Sequence, residues 1–529
     1  MLPTRQKIAG TIAATVLVAA CAATPSPSPA QRASEGPPAP VRSPSAAPTA
    51  GTLPTVAPPT SAPRGTAWPY EFGDSEPIFA PDGTVYFFGR DAAGAYQRTI
   101  LALDAGGHAK PGWSFEAPPG SDYASLVVAP DGSVYLEERG VSAVGNVVHR
   151  LDASGQEMPG WPFSIPSDVA CPAGPPFNND DPRTAAADDP CYPVRIAVGA
   201  DGTAYVQTRP PVHGQLLAID AAGTLKPGWP IDLDGYDWSD AVVADGGVYL
   251  VRRPLGPPKF NSYGNIIDDG AQLMAFGADG KARPGWPVPV PEIRGYLPAS
   301  QGNVVVWSVE DDLAELCSNP RRTVFTILGP GGKTLAGWPR GSTGYASAPL
   351  VGDDGTVYYV SATNRLYAHD LAGNVKAGWP VAVPGAGNAC GPERPHMAPD
   401  GTIYSIGDDV MAISADGRPA SGWPYHPDGQ LTGPCLDSEC YGGHGAPLFG
   451  PDGSIFFLMF HAEGDTTRAE VVGLDRQGTP KNGWPYRLPF EPEKTYISLP
   501  AVSVDGRLFV RTDAPSTILA LDPDGTLSD

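Results

Sequence analysis

The densest group of reactive side chains in this 529-residue chain is Gly-Pro-Glu-Arg-Pro-His, residues 391 to 396. Glu393, Arg394 and His396 are the residue types that serve acid–base chemistry. The same three also read as a loop salt bridge beside a core histidine. A second stretch, Asn-Asn-Asp-Asp-Pro at 178 to 182 with Asp188 and Asp189, offers oxygen ligands for a calcium ion. It lacks the spacing of an EF-hand loop, so a solvated acidic loop is the simpler reading. The eight histidines are scattered, and no HExxH, GxSxG or P-loop pattern occurs. No metal site is expected, because the cysteines form no CxxC pair.

What must position these groups is a repeat. In Asp354 to Pro380, DGTVYYVSATNRLYAHDLAGNVKAGWP, two strand-like runs of β-branched and aromatic residues alternate with Asp-Gly and Gly turns. Apolar runs at Ser347 to Val351 and Pro380 to Val383 flank the stretch, giving four short strands in about 40 residues, the period of a propeller blade. The tryptophan of the repeat recurs at 68, 113, 161, 229, 286, 338, 379, 423 and 484. The turn recurs at Asp82, Asp131, Asp201, Asp245, Gln301, Asp354, Asp400, Asp452 and Asp505. An all-β, multi-bladed propeller of four-stranded antiparallel sheets is therefore expected. Nine units are present; the weak fifth, with Gln301-Gly302 in the turn, leaves eight or nine blades open. The chain opens on an orphan Trp68 and ends on a unit without its tryptophan strand. The N-terminal strand should therefore complete the last blade, closing the ring and removing free sheet edges. The tryptophans themselves read as blade-to-blade docking residues, since nine copies at fixed spacing cannot all be sites.

In such a meander the a–b and c–d turns emerge on one face, and the b–c and d–a connections on the other. The first set is nearly constant in length here. The long inserts all fall in the second set, at 167–193, 253–271, 309–322, 385–395, 427–445 and 460–468. Insertions confined to one face of a repeat protein mark a binding face. Cys171, Cys191, Cys317, Cys390, Cys435 and Cys440 lie in those inserts, and an even number in an exported chain reads as disulfides. Cys171 with Cys191 and Cys435 with Cys440 are the local pairings, and Cys317 with Cys390 is what remains. Strand a lines the channel of a propeller, so its mouth should carry Glu76, Arg195, Asp240, Glu393, Arg394, His396 and His444. Tyr123, Tyr192, Tyr236, Trp238, Tyr345 and Tyr496 sit near the same height. Such a ring suits a polar ligand, a glycan or a peptide segment. The bland alternative is that the aromatics pack between blades and the charges are solvated.

Residues 1–20 have a positive start (Arg5, Lys7) and a 13-residue apolar core, too short to span a bilayer comfortably. They read as a signal peptide ending in Val-Ala-Ala-Cys, which resembles the bacterial lipobox and would leave Cys21 lipidated. Residues 22–66 hold twelve prolines among Ser, Thr and Ala, a segment that cannot bury enough surface to fold and serves as a stalk. Residues 67–529 form the propeller. The formal net charge of −22 argues against nucleic acid and anionic membrane surfaces as direct partners. A monomer is expected, touching the membrane through its lipid alone, on the outer side of the cell membrane. Its partner would be a protein or polysaccharide of the cell envelope.

The repeat resembles that of the pyrroloquinoline-quinone (PQQ)-type propellers, whose blades carry an Ala-Leu-Asp…Gly…Trp docking motif. The matching residues are Leu101 to Asp104 before Trp113, Leu217 to Asp220 before Trp229, and Leu519 to Asp522 at the end. The resemblance covers nearly all of 67–529, with an added Pro-Gly or its equivalent before most tryptophans. It implies a propeller fold and two kinds of function. One is the non-catalytic role of the lipoprotein scaffold of outer-membrane assembly, which shares repeat and lipid anchor. The other is quinone-dependent oxidation. The adjacent cysteine pair of the quinoprotein alcohol dehydrogenases does not occur here, and neither PQQ nor calcium is favoured as a cofactor. A binding or scaffold module is the expectation; a quinone-dependent oxidoreductase or a carbohydrate-active enzyme using Glu393, Arg394 and His396 is the alternative.

Overall fold

The computed structural model of the protein describes residues 70–528, apart from 72–76, 90–98, 119–120, 141–145, 166–193, 209–213, 234, 255–258, 261–265, 268–269, 292, 311–321, 343, 386–391, 432–445, 464–465, 493–494 and 514–515. All six candidate disulfide cysteines, Cys21, Glu76, Tyr192, His444 and the Asn178 to Asp189 stretch lie outside the described residues.

Among the described residues, nine antiparallel sheets follow one another as blades, beside one small two-stranded sheet. Blade one comprises Ile78–Phe79, Val85–Gly89, Thr99–Leu103 and Ala109–Glu116, lettered a to d from the inside outwards. Blades two to eight begin at Ser121, Arg195, Tyr236, Ile293, Leu350, His396 and Leu448. Blade nine consists of Ile497–Val502, Leu508–Asp513 and Ser516–Leu521, and its outermost strand is Tyr70–Glu71. Tyr70 pairs with Ile518 and Glu71 with Thr517, so the ring closes as the sequence requires. Val85, Phe87 and Leu103 of blade one pack on Phe509, Ile518 and Ala520 of blade nine, completing the circle of cores between neighbouring blades. Unit five is a full blade. Gln301 takes the left-handed backbone (φ 62) that Gly or Asn more often supplies, and the turn still closes.

The conserved grammar of the repeat has a physical cause at each seam. Eight tryptophan Nε1 atoms each donate to a carbonyl in the c–d turn of the next blade, at 3.0 to 3.4 Å; Trp113 reaches Ala153 and Trp484 reaches Pro523. Their rings are buried, most of them edge-on against the Tyr or Phe of strand b. Each buries about 200 Å² of largely apolar surface, worth ~5 kcal/mol before ordering costs. The preceding glycine is forced. Gly160 has φ 89, and a Cβ there would lie 2.0 Å from the Ala222 carbonyl oxygen. Across the same seam, a Cβ on Gly223 would lie 2.2 Å from the Gly160 oxygen. Two backbones thus touch where no side chain fits.

Within a blade, the Asp of the a–b turn accepts from the amide two residues on, as Asp354 does from Thr356 at 2.9 Å. A lysine three residues before the tryptophan then staples that turn: Lys376 Nζ lies 3.1 Å from both Asp354 Oδ2 and Thr356 Oγ1. Lys110, Lys226 and Lys481 repeat the arrangement in blades one, three and eight. Burial opposes ionisation of these carboxyls, but the hydrogen bonds and the ammonium outweigh it, leaving Asp82, Asp201, Asp354 and Asp452 below their ordinary value.

Candidate functional site

The opposite face is irregular in a patterned way. In blades two, four, five, six and nine, strand a runs past the point where the others stop, and it bulges there. The break lies between Tyr123 and Leu126 in blade two and between Ile293 and Gly295 in blade five. It lies between Ser498 and Ala501 in blade nine, and between Trp238 and Val242 in blade four, where the strand is split in two. Each extra residue faces the same level of strand b, near Glu138, Arg252, Ser308 and Arg511. Bulges re-aim side chains and end regular pairing. Here they bring Ser125, Ser239, Asp240 and Arg294 to one height around the mouth. Blade six repeats the break, with Ala346 facing Ser361 and Leu350 facing Tyr358.

Those residues tie neighbouring blades together. Ser125 Oγ donates to the Val194 carbonyl at 2.7 Å, joining blade two to the start of blade three. Gln207 Nε2 donates to the Ser239 carbonyl at 3.1 Å, and Arg195 Nε lies 3.7 Å from Asp240 Oδ1, joining blades three and four. The Tyr296 hydroxyl sits 3.3 Å from the Asp240 carbonyl and 3.1 Å from that of Tyr249, joining blades four and five. A polar belt therefore runs under the mouth through four successive blades.

Beneath the belt, blade two holds an unusual set of buried charges. Glu137 is wholly inaccessible; the Val194 amide donates to both its oxygens at 3.2 and 3.1 Å, and Asn146 Nδ2 donates at 2.9 Å. Burial dominates and pushes its carboxyl up to about 7, despite the hydrogen bonds and the Arg139 guanidinium. Arg139 is itself held by Asp122, its Nε 2.8 Å from Oδ1 and its Nη2 2.9 Å from Oδ2. His149 lies between Glu157 (2.7 Å) and Glu138 (3.2 Å); burial opposes its charge, but the two carboxylates raise it to about 9. Nothing in the repeat pattern pointed to this group. The run Leu-Glu-Glu-Arg simply continues the alternation of strand b past the usual length of a blade.

The expected mouth residues divide into two classes. Arg195 and Asp240 face each other across the seam of blades three and four, each about half exposed. Tyr123 is fully buried in the core between blades one and two. Trp238 is buried too, its Nε1 donating to the Leu233 carbonyl at 2.7 Å. Tyr345 is part-buried and Tyr496 is 50% exposed. His396 opens strand a of blade seven, half-buried, and burial with the nearby Arg394 guanidinium lowers it to about 4. It is therefore a neutral imidazole at pH 7. Arg394 is exposed and Glu393 part-buried beside it.

Two of the expected inserts turn out to contain regular structure. Residues 460–468 are the end of a long hairpin, Ile455–Glu463 paired with Thr466–Leu474. Gln430 exchanges both backbone hydrogen bonds with Phe460 at 2.7 Å, laying part of the 427–445 insert along that hairpin. The hairpin carries a charged group: His461 Nε2 is 3.2 Å from Glu470, and Arg468 reaches Glu463 at 2.9 Å. Residues 253–271 contain a small hairpin, Lys259–Phe260 with Ile266–Ile267.

No protein-family model matches the chain, and no curated protein sequence does either. Among solved structures it is similar to BamB from Moraxella catarrhalis, at 15% identity and a TM-score of 0.29 over 69% of this chain and 98% of that one. It is also similar to the Dos1 propeller, at 12% identity and a TM-score of 0.36 over 65% and 83% of the two chains. A third similarity is to PorZ, described as an essential bacterial surface component of the type-IX secretion system of Porphyromonas gingivalis. There the identity is 11% and the TM-score 0.25, over 83% of this chain and 58% of that one.

Proposed function

We propose that the protein is an exported propeller, held to the outer side of a bacterial cell membrane by lipid on Cys21. It binds a protein or polysaccharide of the cell envelope through the face that carries the bulges and inserts. One observation supports this reading above the others: among the described residues, the extensions and bulges of strand a lie on that face. The opposite face repeats one turn and one tryptophan seam around the ring, with the lysine staple in four of its blades. A ring kept only as a spacer has no reason to vary on one side alone. The six cysteines, all in inserts of the varied face, would brace it as disulfides.

The test uses the full chain and two changes. Shortening 167–193 and 432–445 to minimal turns should abolish retention on isolated envelope material while leaving the melting temperature close to that of the parent. Unchanged retention would overturn the reading. Cys21→Ala should move the protein from the membrane pellet to the soluble fraction, and a protein that stays in the pellet would remove the anchor. Turnover of an alcohol or a glycan by the parent chain would instead bring forward the oxidoreductase or carbohydrate-active alternative.

A further inference from the structure

The polar belt reaches solvent where blades three, four and five meet. Arg195 Nε and Asp240 Oδ1 lie 3.7 Å apart, with half or more of each side chain in solvent. Arg294 is the extra residue of the blade-five bulge; it is exposed and makes no ion pair among the described residues. The bulge that presents it is fixed from behind, since a Cβ on Gly295 would lie 2.2 Å from the Trp307 ring. Two positions along the same strand, Tyr296 holds the Asp240 backbone. Gln207, 1% exposed, supports Ser239 from below, and its Oε1 is buried without a donor among the described residues. The rim groups are thus preorganised by a buried layer rather than carried on loose loops.

We propose that Arg195, Asp240 and Arg294 form a subsite for a neutral sugar residue of a polysaccharide. This rests on the reading of the varied face as the binding face, and it names the ligand. Three physical arguments select the class. The site mixes guanidinium donors with a carboxylate acceptor, and vicinal hydroxyls both donate and accept. An anionic chain meets Asp240 locally and a net charge of −22 globally, while a cationic ligand meets two arginines. A peptide needs apolar anchors, and the large hydrophobics exposed among the described residues, Val375, Tyr496, Val504 and Leu527, all lie outside blades three to five. Planar side chains that hold a pair of hydroxyls at once leave a neutral glycan as the ligand that satisfies every group.

The full chain is titrated calorimetrically with neutral oligomers of glucose (α- and β-linked) and of N-acetylglucosamine, with oligogalacturonate as the anionic arm and casein peptides as the protein arm. At least one neutral oligomer should bind, insensitive to added salt. Asp240→Ala and Arg195→Ala should each weaken it by about tenfold, and Arg294→Ala by a smaller factor, with melting temperatures unchanged. Failure of every neutral oligomer to bind would overturn the subsite. So would preference for oligogalacturonate or peptide, or an Asp240→Ala variant of parental affinity. If no sugar binds but shortening the inserts still abolishes envelope retention, the subsite falls and the binding-face reading stands. If retention is unaffected as well, both fall.

Discussion

The two faces of this ring solve different problems with the same strands. On the regular face, Gly160 and Gly223 press backbone against backbone while Trp161 reaches the Ala221 carbonyl at 3.2 Å. That geometry recurs from seam to seam, and an error at one seam would open the circle. On the varied face the strands overrun the seam. There blade two can bury Glu137 and His149, blade four can split its inner strand, and blade eight can extend a hairpin. The repeated seam lies on one side, while the cross-blade contacts of the other side differ from blade to blade.

The largest effect should come from breaking the regular side. Trp229→Ala removes a buried ring and its bond to Ala278, and should cost about 3–5 kcal/mol, read as a fall in melting temperature or denaturant midpoint. A loss below about 1 kcal/mol would mean that the seams do not carry the ring.

Glu137 tests whether the varied side really tolerates what the regular side does not. Its folded carboxyl is raised, so its contribution to stability is fully present below the ordinary glutamate value near 4.5 and is lost as pH rises through about 7. The penalty on the ionised form is of order 3 kcal/mol. Glu137→Gln keeps an acceptor for the Val194 amide and removes the charge. The variant should melt above the parent at pH 8, match or fall below it at pH 5, and show a flatter melting temperature between them. Parallel pH profiles would show that this carboxyl ionises without cost.

The staples sharpen the contrast at the small end. Lys376→Ala should cost only about 0.5–1 kcal/mol, because its ammonium is partly exposed. The loss should fade in acid. The Asp354 carboxyl lies below its ordinary value, so the stability it supplies is present above pH 4 and disappears as pH falls through its folded value. Parent and variant should therefore converge once the pH has fallen below that folded value.

Much of this was readable from the chain, for a physical reason. Turn residues and docking tryptophans act locally, and each leaves a fixed residue at a fixed spacing; the nine tryptophans and nine turns translate directly into nine blades. The closing role of the N-terminal strand followed from which unit lacked its own. The lysine staple was equally legible, in Lys-x-Gly-Trp paired with Asp-Gly-Thr or Asp-Gly-Ser, and was missed because it does nothing beyond holding a turn. The varied face resisted because alternation tells which side of a sheet a residue faces and not where a strand stops. Residues 460–468 read as an insert although they continue two strands, and alternation gave no sign that Glu137 would be buried against Val194 of the neighbouring blade. Tyr123 and Trp238 were expected near the mouth and are buried; a bulge decides whether such a ring turns outward or into the core, and a one-residue bulge leaves no mark in composition.

The pairing of Tyr70 with Ile518 also sets a timetable. About 450 residues separate the partners, and closing so long a loop carries an entropic cost of roughly 5 kcal/mol, met only when the last blade has formed. During synthesis the first strand to emerge waits unpaired until nearly the whole chain is made, with the preceding eight blades stacked as an open arc. Until that moment the arc has two exposed ends, one on blade one and one on blade eight. A ribosome stalled shortly before residue 518 would release a molecule that holds almost every native contact and still cannot become a ring.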